Sequence, residues 1–453
     1  MLNRRTFTAA FAASAFAGLA QQAQGFAMPR PRAYGNLVPD PLQLLDLPQG
    51  FSYRIISQFG QTMSDGFAVP DKADGMGCFD VGGGRVALVR NHELRPGALG
   101  KRPWTGAASG PELTYDRTTA GLALPGGTST MVYDLARQRI DSEYLSLVGT
   151  IRNCAGGITP WGSWLTCEED TTRAGDGVKA DHGYMFEVPA RHQGLVDPVP
   201  LKAMGRFNRE AAAVDPRTGI VYMTEDRGDS LFYRFLPTSK GELAKGGVLQ
   251  ALGFRDAPTG ADSRNWKTTG IVRTQAEQAM WIDLADPESP GDDLRAQGRT
   301  KGAALFARGE GIHMGDGELY FCCTSGGPDR LGQIMRYRPS RFEGQPGEKN
   351  EPGLLSLFLE SADRGSMHYG DNLTVAPNGH LIVCEDQSGP MVDNHLRGVT
   401  PDGSTYPFAR LRTQTELAGA CFSPDGQVMF VNVFSPTKTL AITGPWASFD
   451  RSA

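Results

Sequence analysis

The sequence predicts an all-β fold, a six-bladed β-propeller with loop insertions. Two observations predict it: a hairpin pattern that returns six times, and glycine and proline spread along the whole chain. The recurring unit is a turn ending in glycine, an alternating apolar strand and a polar or acidic end. Its copies are GGGRVALVRNHE (82–93), TPWGSWLTCEED (159–170), DPRTGIVYMTED (215–226), GDGELYFCCTS (315–325), APNGHLIVCED (376–386) and SPDGQVMFVNV (423–433). The 57 glycines and 30 prolines among 453 residues suit many short strands joined by tight turns. Uneven spacing of the turn glycines at 84, 162, 219, 317, 379 and 426 leaves room for outer strands and insertions.

The stretch ahead of each turn also repeats: DGMGCFDV (74–81), NCAGGIT (153–159), REAAAVD (209–215), GEGIHMG (309–315), DNLTVAP (371–377) and ELAGACFSP (416–424). A polar residue leads, and small or apolar residues follow into the turn. Each unit therefore reads as a hairpin whose first strand lines a central channel, with the leading residue at the channel mouth and small residues at the crowded axis. The mouth would gather Asp74, Asn153 with Cys154, Glu210, Glu310, Asp371 with Asn372, and Glu416. Glu93, Glu168, Glu169, Glu225, Asp226, Glu385 and Asp386 follow the second strands. Carboxylates so crowded repel unless protons or cations neutralise them, so the pattern implies bound metal rather than a set of solvated hairpin ends. Oxygen ligands suit hard ions such as Ca²⁺ or Fe³⁺, and a single thiolate suits a transition metal.

Composition narrows the function classes. A formal net charge of −5 gives no basic field for nucleic acid, so a polyanionic partner needs a local site. Residues 1–27 read as a targeting peptide: Arg4-Arg5 precede Thr6-Phe7 and an Ala-rich apolar run too short to span a membrane. Export by the twin-arginine machinery to the periplasm or beyond follows as an expectation, with no stable membrane insertion. Residues 28–453 then form one propeller domain, expected as a monomer. The seven cysteines, an odd number, leave at least one thiol unpaired. Histidines 92, 182, 192, 313, 368, 380 and 395 show no zinc-type spacing, and there is no G-x-S-x-G elbow or P-loop.

At NCAGGITPWGSWLTCEED the residues become specific. With RNHE before it, and REAAAVDPRTGIVYMTED, ARGEGI, GDNLTVAPNGHLIVCED and ELAGACFSPDGQVMFVN after it, the chain resembles the PhoX family of alkaline phosphatases from about residue 40 to the closing ITGPW at 442–446. The resemblance implies a six-bladed propeller whose mouth holds Fe³⁺ and Ca²⁺, and hydrolysis of a small phosphate monoester. It implies Cys154 as the cysteine ligand of iron, Glu210 and Glu310 as carboxylate ligands of the same cluster, and Asp371 as a further ligand. It implies Glu93, Glu169, Glu225 and Glu385 on the calcium side. Arg308 matches the family's phosphate-gripping arginine, and Asn91 of the RNHE motif is the second catalytic candidate. Arg209 departs from the family, which has histidine before the glutamate at 210.

The chemistry fits the parts. Phosphate-ester hydrolysis needs charge neutralised on the non-bridging oxygens and on the leaving alkoxide, which cations supply without a protein nucleophile. An arginine adds bidentate, charge-assisted hydrogen bonds that lysine cannot match in geometry. Two rival readings keep the propeller: a metal-dependent phosphodiesterase or lactonase, and a calcium-stabilised binding propeller without turnover.

Overall fold

A computed structural model describes residues 34–98, 101–104 and 110–447, so the targeting peptide read at residues 1–27 lies outside the described residues. The described chain is almost entirely β, with one short α-helix, Leu294–Thr300. Six inner strands follow one another round a ring: Ala73–Gly82, Asn153–Ile158, Arg209–Val214, Gly309–Met314, Gly370–Val375 and Leu417–Phe422. Each touches the next, and the sixth touches the first. Each also pairs antiparallel with the strand that follows it, as the hairpin pattern predicts.

The axis is as crowded as the small residues predict. A Cβ on Gly75 would fall 2.6 Å from the Cα of Ala155, and one on Gly311 would fall 2.6 Å from the Cα of Asn372. Such spacing admits no side chain at either position. Below this constriction the inner strands part to line a mainly apolar cavity of about 490 Å³.

Six separate blades do not form. The first unit is a four-stranded sheet and the second a three-stranded one. The fifth carries six strands, because Leu37–Val38 and Leu45–Pro48 join its outer edge. The sixth has four, the last being Ser52–Gln58 from near the chain start. The third and fourth units merge into one nine-stranded sheet whose edges, Arg209–Val214 and Gly309–Met314, lie side by side, so it nearly closes as a barrel. The cause is an extra strand in the long segment between these units. Ala276–Asp283 pairs with Gly247–Phe254 on one side and with the outer strand Leu354–Glu360 on the other. Unpaired N–H and C=O groups at two outer edges are thereby satisfied. The architecture is all-β and propeller-like, with four separate sheets and one fused sheet.

Candidate metal centre

The hydrogen-bond register shows how the mouth residues are aimed. In every inner strand the ladder advances three residues against two on its partner. The shifts fall between Ala73 and Met76, Asn153 and Gly156, Arg209 and Ala212, Gly309 and Ile312, Gly370 and Leu373, and Ala418 and Cys421. One extra residue against a partner strand is a β-bulge, a device that re-aims a side chain and often stands beside a functional site. The first bulged residue is Asp74, Cys154, Glu210, Glu310 and Asp371 in the first five units. In the sixth the bulge slips by one to Gly419, so that unit supplies its acid, Glu416, from just ahead of the strand.

These residues meet. Cys154, Glu169 and Glu210 each offer a ligand atom within 4.8 Å of the others, as do Glu210, Glu310 and Asp371, and then Asp371, Asp386 and Glu416. Shared members link the three groups into one run. Both carboxylate oxygens of Glu210 and Oδ1 of Asp74 are buried with no hydrogen-bond partner among the described residues. Orphaned buried oxygens are costly unless a cation or proton takes them. Burial, then the charges of Glu310 and Asp371, push the Glu210 carboxyl well above its ordinary range, and Glu310, Asp74 and Glu416 move the same way. Burial raises Asp371 to about 7 with the help of Asp386. Burial raises Glu169 to about 8 against the opposing charge of Arg152. The Cys154 thiol, whose Sγ lies 3.6 Å from Asp74, is raised by burial and then by Asp74, Glu210, Glu169 and Glu93. A thiol and several carboxyls that resist ionisation because they are buried and because their neighbours are anionic form a donor set that fits cations.

Four residues read from the sequence as site members need correction or qualification. Glu225 lies outside the cluster: its carboxylate accepts from Tyr233 (2.8 Å) and pairs with Arg295 (2.5 Å). Glu385 is likewise occupied, by Arg397 (2.9 Å), His395 and the backbone N–H of His368. The reason is strand phase. Residues directly opposite in an antiparallel pair share a face. Arg209 pairs with Glu225 and Gly370 with Glu385, so both glutamates face away from the mouth while Glu210 and Asp371 face it. The mouth positions fall one residue later, at Asp226 and Asp386. Glu169 obeys this rule, and so does Glu93, which follows the outward His92. Glu93 faces the cluster but is engaged by Arg152 (2.7 Å) and Lys72 (3.7 Å).

Asn91 is not placed to touch substrate. It is wholly buried, donating to the carbonyls of Cys154 (2.9 Å) and Ala155 (2.7 Å) and accepting from Trp164 and Thr166. Its four bonds use all its capacity and pin the bulge that presents Cys154. Arg209, the departure from the family pattern, also faces away: it lies 3.9 Å from the Phe207 ring and donates to the carbonyls of Met204 and Gly205. Arg308 does stand at the mouth, bidentate on Asp226 (2.6 and 2.9 Å) and 3.0 Å from Glu310, with its side chain 44% exposed.

Glu168, outward by the same phase rule, builds a buried brace with His182. His182 Nδ1 is 2.6 Å from Glu168 and Nε2 is 3.1 Å from Asp116. Burial lowers the His182 pKa, but Glu168 and Asp116 outweigh it and bring it to about 9. The folded pKa lies above the ordinary 6.5, so this brace stabilises fully below about pH 6.5 and its contribution is lost as pH rises through about 9. His182→Gln is expected to lower Tm more at pH 6.5 than at pH 10, by a difference worth on the order of 2–3 kcal/mol. An equal Tm loss at both pH values, in melts of metal-loaded protein, would assign His182 to packing alone.

Comparison with known proteins follows the same line. The family profile described as alkaline phosphatase PhoX matches residues 32–136 and 115–437. Among solved structures, the chain is similar to Pseudomonas fluorescens PhoX in complex with vanadate, a transition state analogue, at 18% identity and TM-score 0.67. That match covers 92% of this chain and 98% of the other. A gluconolactonase from Xanthomonas campestris matches at 13% identity and TM-score 0.42, covering 92% of this chain and all of the other. No curated protein matches.

Proposed function

Since the chain belongs to the alkaline phosphatase PhoX family and is a phosphoric monoester hydrolase, we propose that its hydrolytic centre is the bulge-built cluster at the propeller mouth, holding Fe³⁺ and Ca²⁺. The observation that carries this reading is the buried Glu210 carboxylate, unpartnered and shared between two ligand groups. Cys154, Glu169 and Glu210 combine a thiolate with two carboxylates and suit iron. Asp371, Asp386 and Glu416 offer oxygen alone and suit calcium, and Glu310 joins the two sets through Glu210 and Asp371. Cations bound there supply Lewis-acid neutralisation of the phosphoryl oxygens.

The chain's own contribution is orientation. Asp226 fixes the Arg308 guanidinium through Nε and Nη2, which leaves the N–H groups of Nη1 to take phosphoryl oxygens at the mouth. That a relative of this fold, Pseudomonas fluorescens PhoX, takes vanadate as a transition state analogue supports phosphoryl chemistry as the reading. Asn91 and the bulges hold the ligands rigid, so little reorganisation is needed when substrate arrives. Export of the folded, metal-loaded chain by the twin-arginine route belongs to the same proposal.

The test is turnover of an aryl monoester, an aryl diester and a lactone by one metal-loaded sample, with the monoester expected fastest. A faster diester or lactone would replace this reading with its rival. Arg308→Lys keeps the charge and loses the planar fork. Its kcat/KM on the monoester is expected to fall roughly 10- to 100-fold, with metal content unchanged. An unchanged rate would make Arg308 only the partner of Asp226.

A further inference from the structure

The rim of the mouth carries a position that repeats in all six units and that no motif revealed. It lies two residues before Asp74, Cys154, Glu210, Glu310 and Asp371, and is held in the sixth unit by Glu416. The residues there are Lys72, Arg152, Asn208, Arg308, Tyr369 and Glu416. In each unit its carbonyl accepts the N–H of the residue after the second strand: Glu93, Glu169, Asp226, Thr324, Asp386 and Phe434. Four of the six have left-handed backbone without being glycine: Lys72 (φ 55°), Arg152 (φ 49°), Arg308 (φ 54°) and Tyr369 (φ 53°). Non-glycine residues rarely adopt that region, and where they do the cost often accompanies function.

Within this set Arg152 and Arg308 share two kinds of contact. Each guanidinium sends Nε to the acid that follows the second strand of the preceding unit: Arg152 to Glu93 at 2.7 Å, Arg308 to Asp226 at 2.6 Å. Each sends Nη2 to an acid of its own unit, Arg152 to Glu169 and Arg308 to Glu310. Those two acids flank the same residue, since Glu169 groups with Glu210 and Glu210 with Glu310. The two arginines thus stand on either side of Glu210. The three bonds that Arg152 makes, the third from Nη1 to the Glu169 carbonyl, use three of its five N–H groups. Its side chain is 19% exposed, and two donors remain uncommitted beside the mouth acids Glu93 and Glu169.

We propose that Arg152 is a second phosphate-gripping arginine, so that the dianion of a phosphate monoester is held between two guanidiniums on either side of the Glu210 carboxylate. This rests on the phosphomonoesterase reading above and adds to it a second residue that selects the monoester dianion. Two cationic forks favour a terminal phosphate with two negative charges over a diester with one. If Arg152 only braced Glu93 and Glu169, a lysine there would disturb metal content before it disturbed phosphate binding.

Arg152→Lys separates the two roles. In full-length, metal-loaded protein, inorganic phosphate binding is measured by calorimetry, metal content by elemental analysis, and KM and kcat on aryl monoester and diester. The expected result is phosphate binding weakened roughly tenfold or more at unchanged metal content. The monoester KM should rise and the monoester-to-diester preference should fall. Phosphate binding within twofold of wild type would overturn the proposal. Loss of metal from this charge-preserving variant would overturn it too, by identifying Arg152 as a support for Glu93 and Glu169. A wild-type protein that neither binds phosphate nor turns over the monoester would instead remove the underlying reading.

Discussion

Glu210→Gln is expected to do two opposite things: abolish metal retention and turnover, and stabilise the metal-free protein. Glu210 is 1% exposed, has no hydrogen-bond partner among the described residues and sits among Glu310, Asp371, Glu169 and Asp74. With no cation present, a carboxyl there either carries a repelled charge or holds a proton against its ordinary tendency, and the nearly isosteric amide removes that cost. Relief of that repulsion in a buried site is worth on the order of 1–3 kcal/mol, read as a higher Tm after chelation. With cations present the same change removes a shared anionic ligand, and activity should drop by about a hundredfold or more. The pH dependence carries the same sign. Because the folded acids have raised pKa values, the metal-free folded state holds protons that the unfolded chain releases. Its stability therefore falls as pH climbs from about 4.5 through the raised values of about 7 for Asp371 and about 8 for Glu169. Metal-loaded protein should show the reverse trend, since cations replace those protons. If the metal-free variant melts below wild type, Glu210 is a packing residue.

Cys154→Ser should be the next most damaging change. Buried beside Asp74, Glu210, Glu169 and Glu93, the thiol has no reason to ionise unless a cation offsets four carboxylates. In an iron centre it must be a thiolate, and sulfur-to-iron charge transfer should colour the protein. The serine variant is expected to be folded, colourless, poor in iron and nearly inactive, while oxygen-only ligands keep calcium. Elemental analysis and an absorption spectrum decide the matter. Colourless, iron-free wild-type protein with full monoesterase activity would remove the iron–thiolate assignment and leave the carboxylate cluster in place.

The inner ligands were legible in the sequence because each opens a repeated strand, and six repeats round one axis can only converge. The outer ligands were not, because an acidic pair at a strand end does not say which member faces inward. Glu225 with Asp226 and Glu385 with Asp386 look alike as text, and the choice depends on which residue sits opposite the first residue of the inner strand. Reading His92-Glu93 as an outward–inward pair, then carrying that phase to the other units, would have found Asp226 and Asp386. Glu416 stands two residues ahead of the position its counterparts hold, in a unit whose bulge shifts to Gly419. The fused sheet was hidden for another reason. Ala276–Asp283 carries no copy of the hairpin pattern, and its pairing with Leu354–Glu360 is a long-range event that local spacing does not encode.

The sixth sheet ends on a strand borrowed from the other end of the chain, with Ser52 facing Thr443 across 391 positions. Bringing such distant segments together costs about 5 kcal/mol of chain entropy, and the contact is available only once Lys438–Thr443 has been synthesised. Until then the chain is an open arc, and Asp74 and Glu93 at one end have not met Glu416 at the other. The groups of neighbouring units, such as Cys154, Glu169 and Glu210, can meet before that, but the approach of Asp74 and Glu93 to Glu416 waits for closure. Ring closure is therefore the event that completes the circle of acids, and until then a nascent chain carries only separate parts of it.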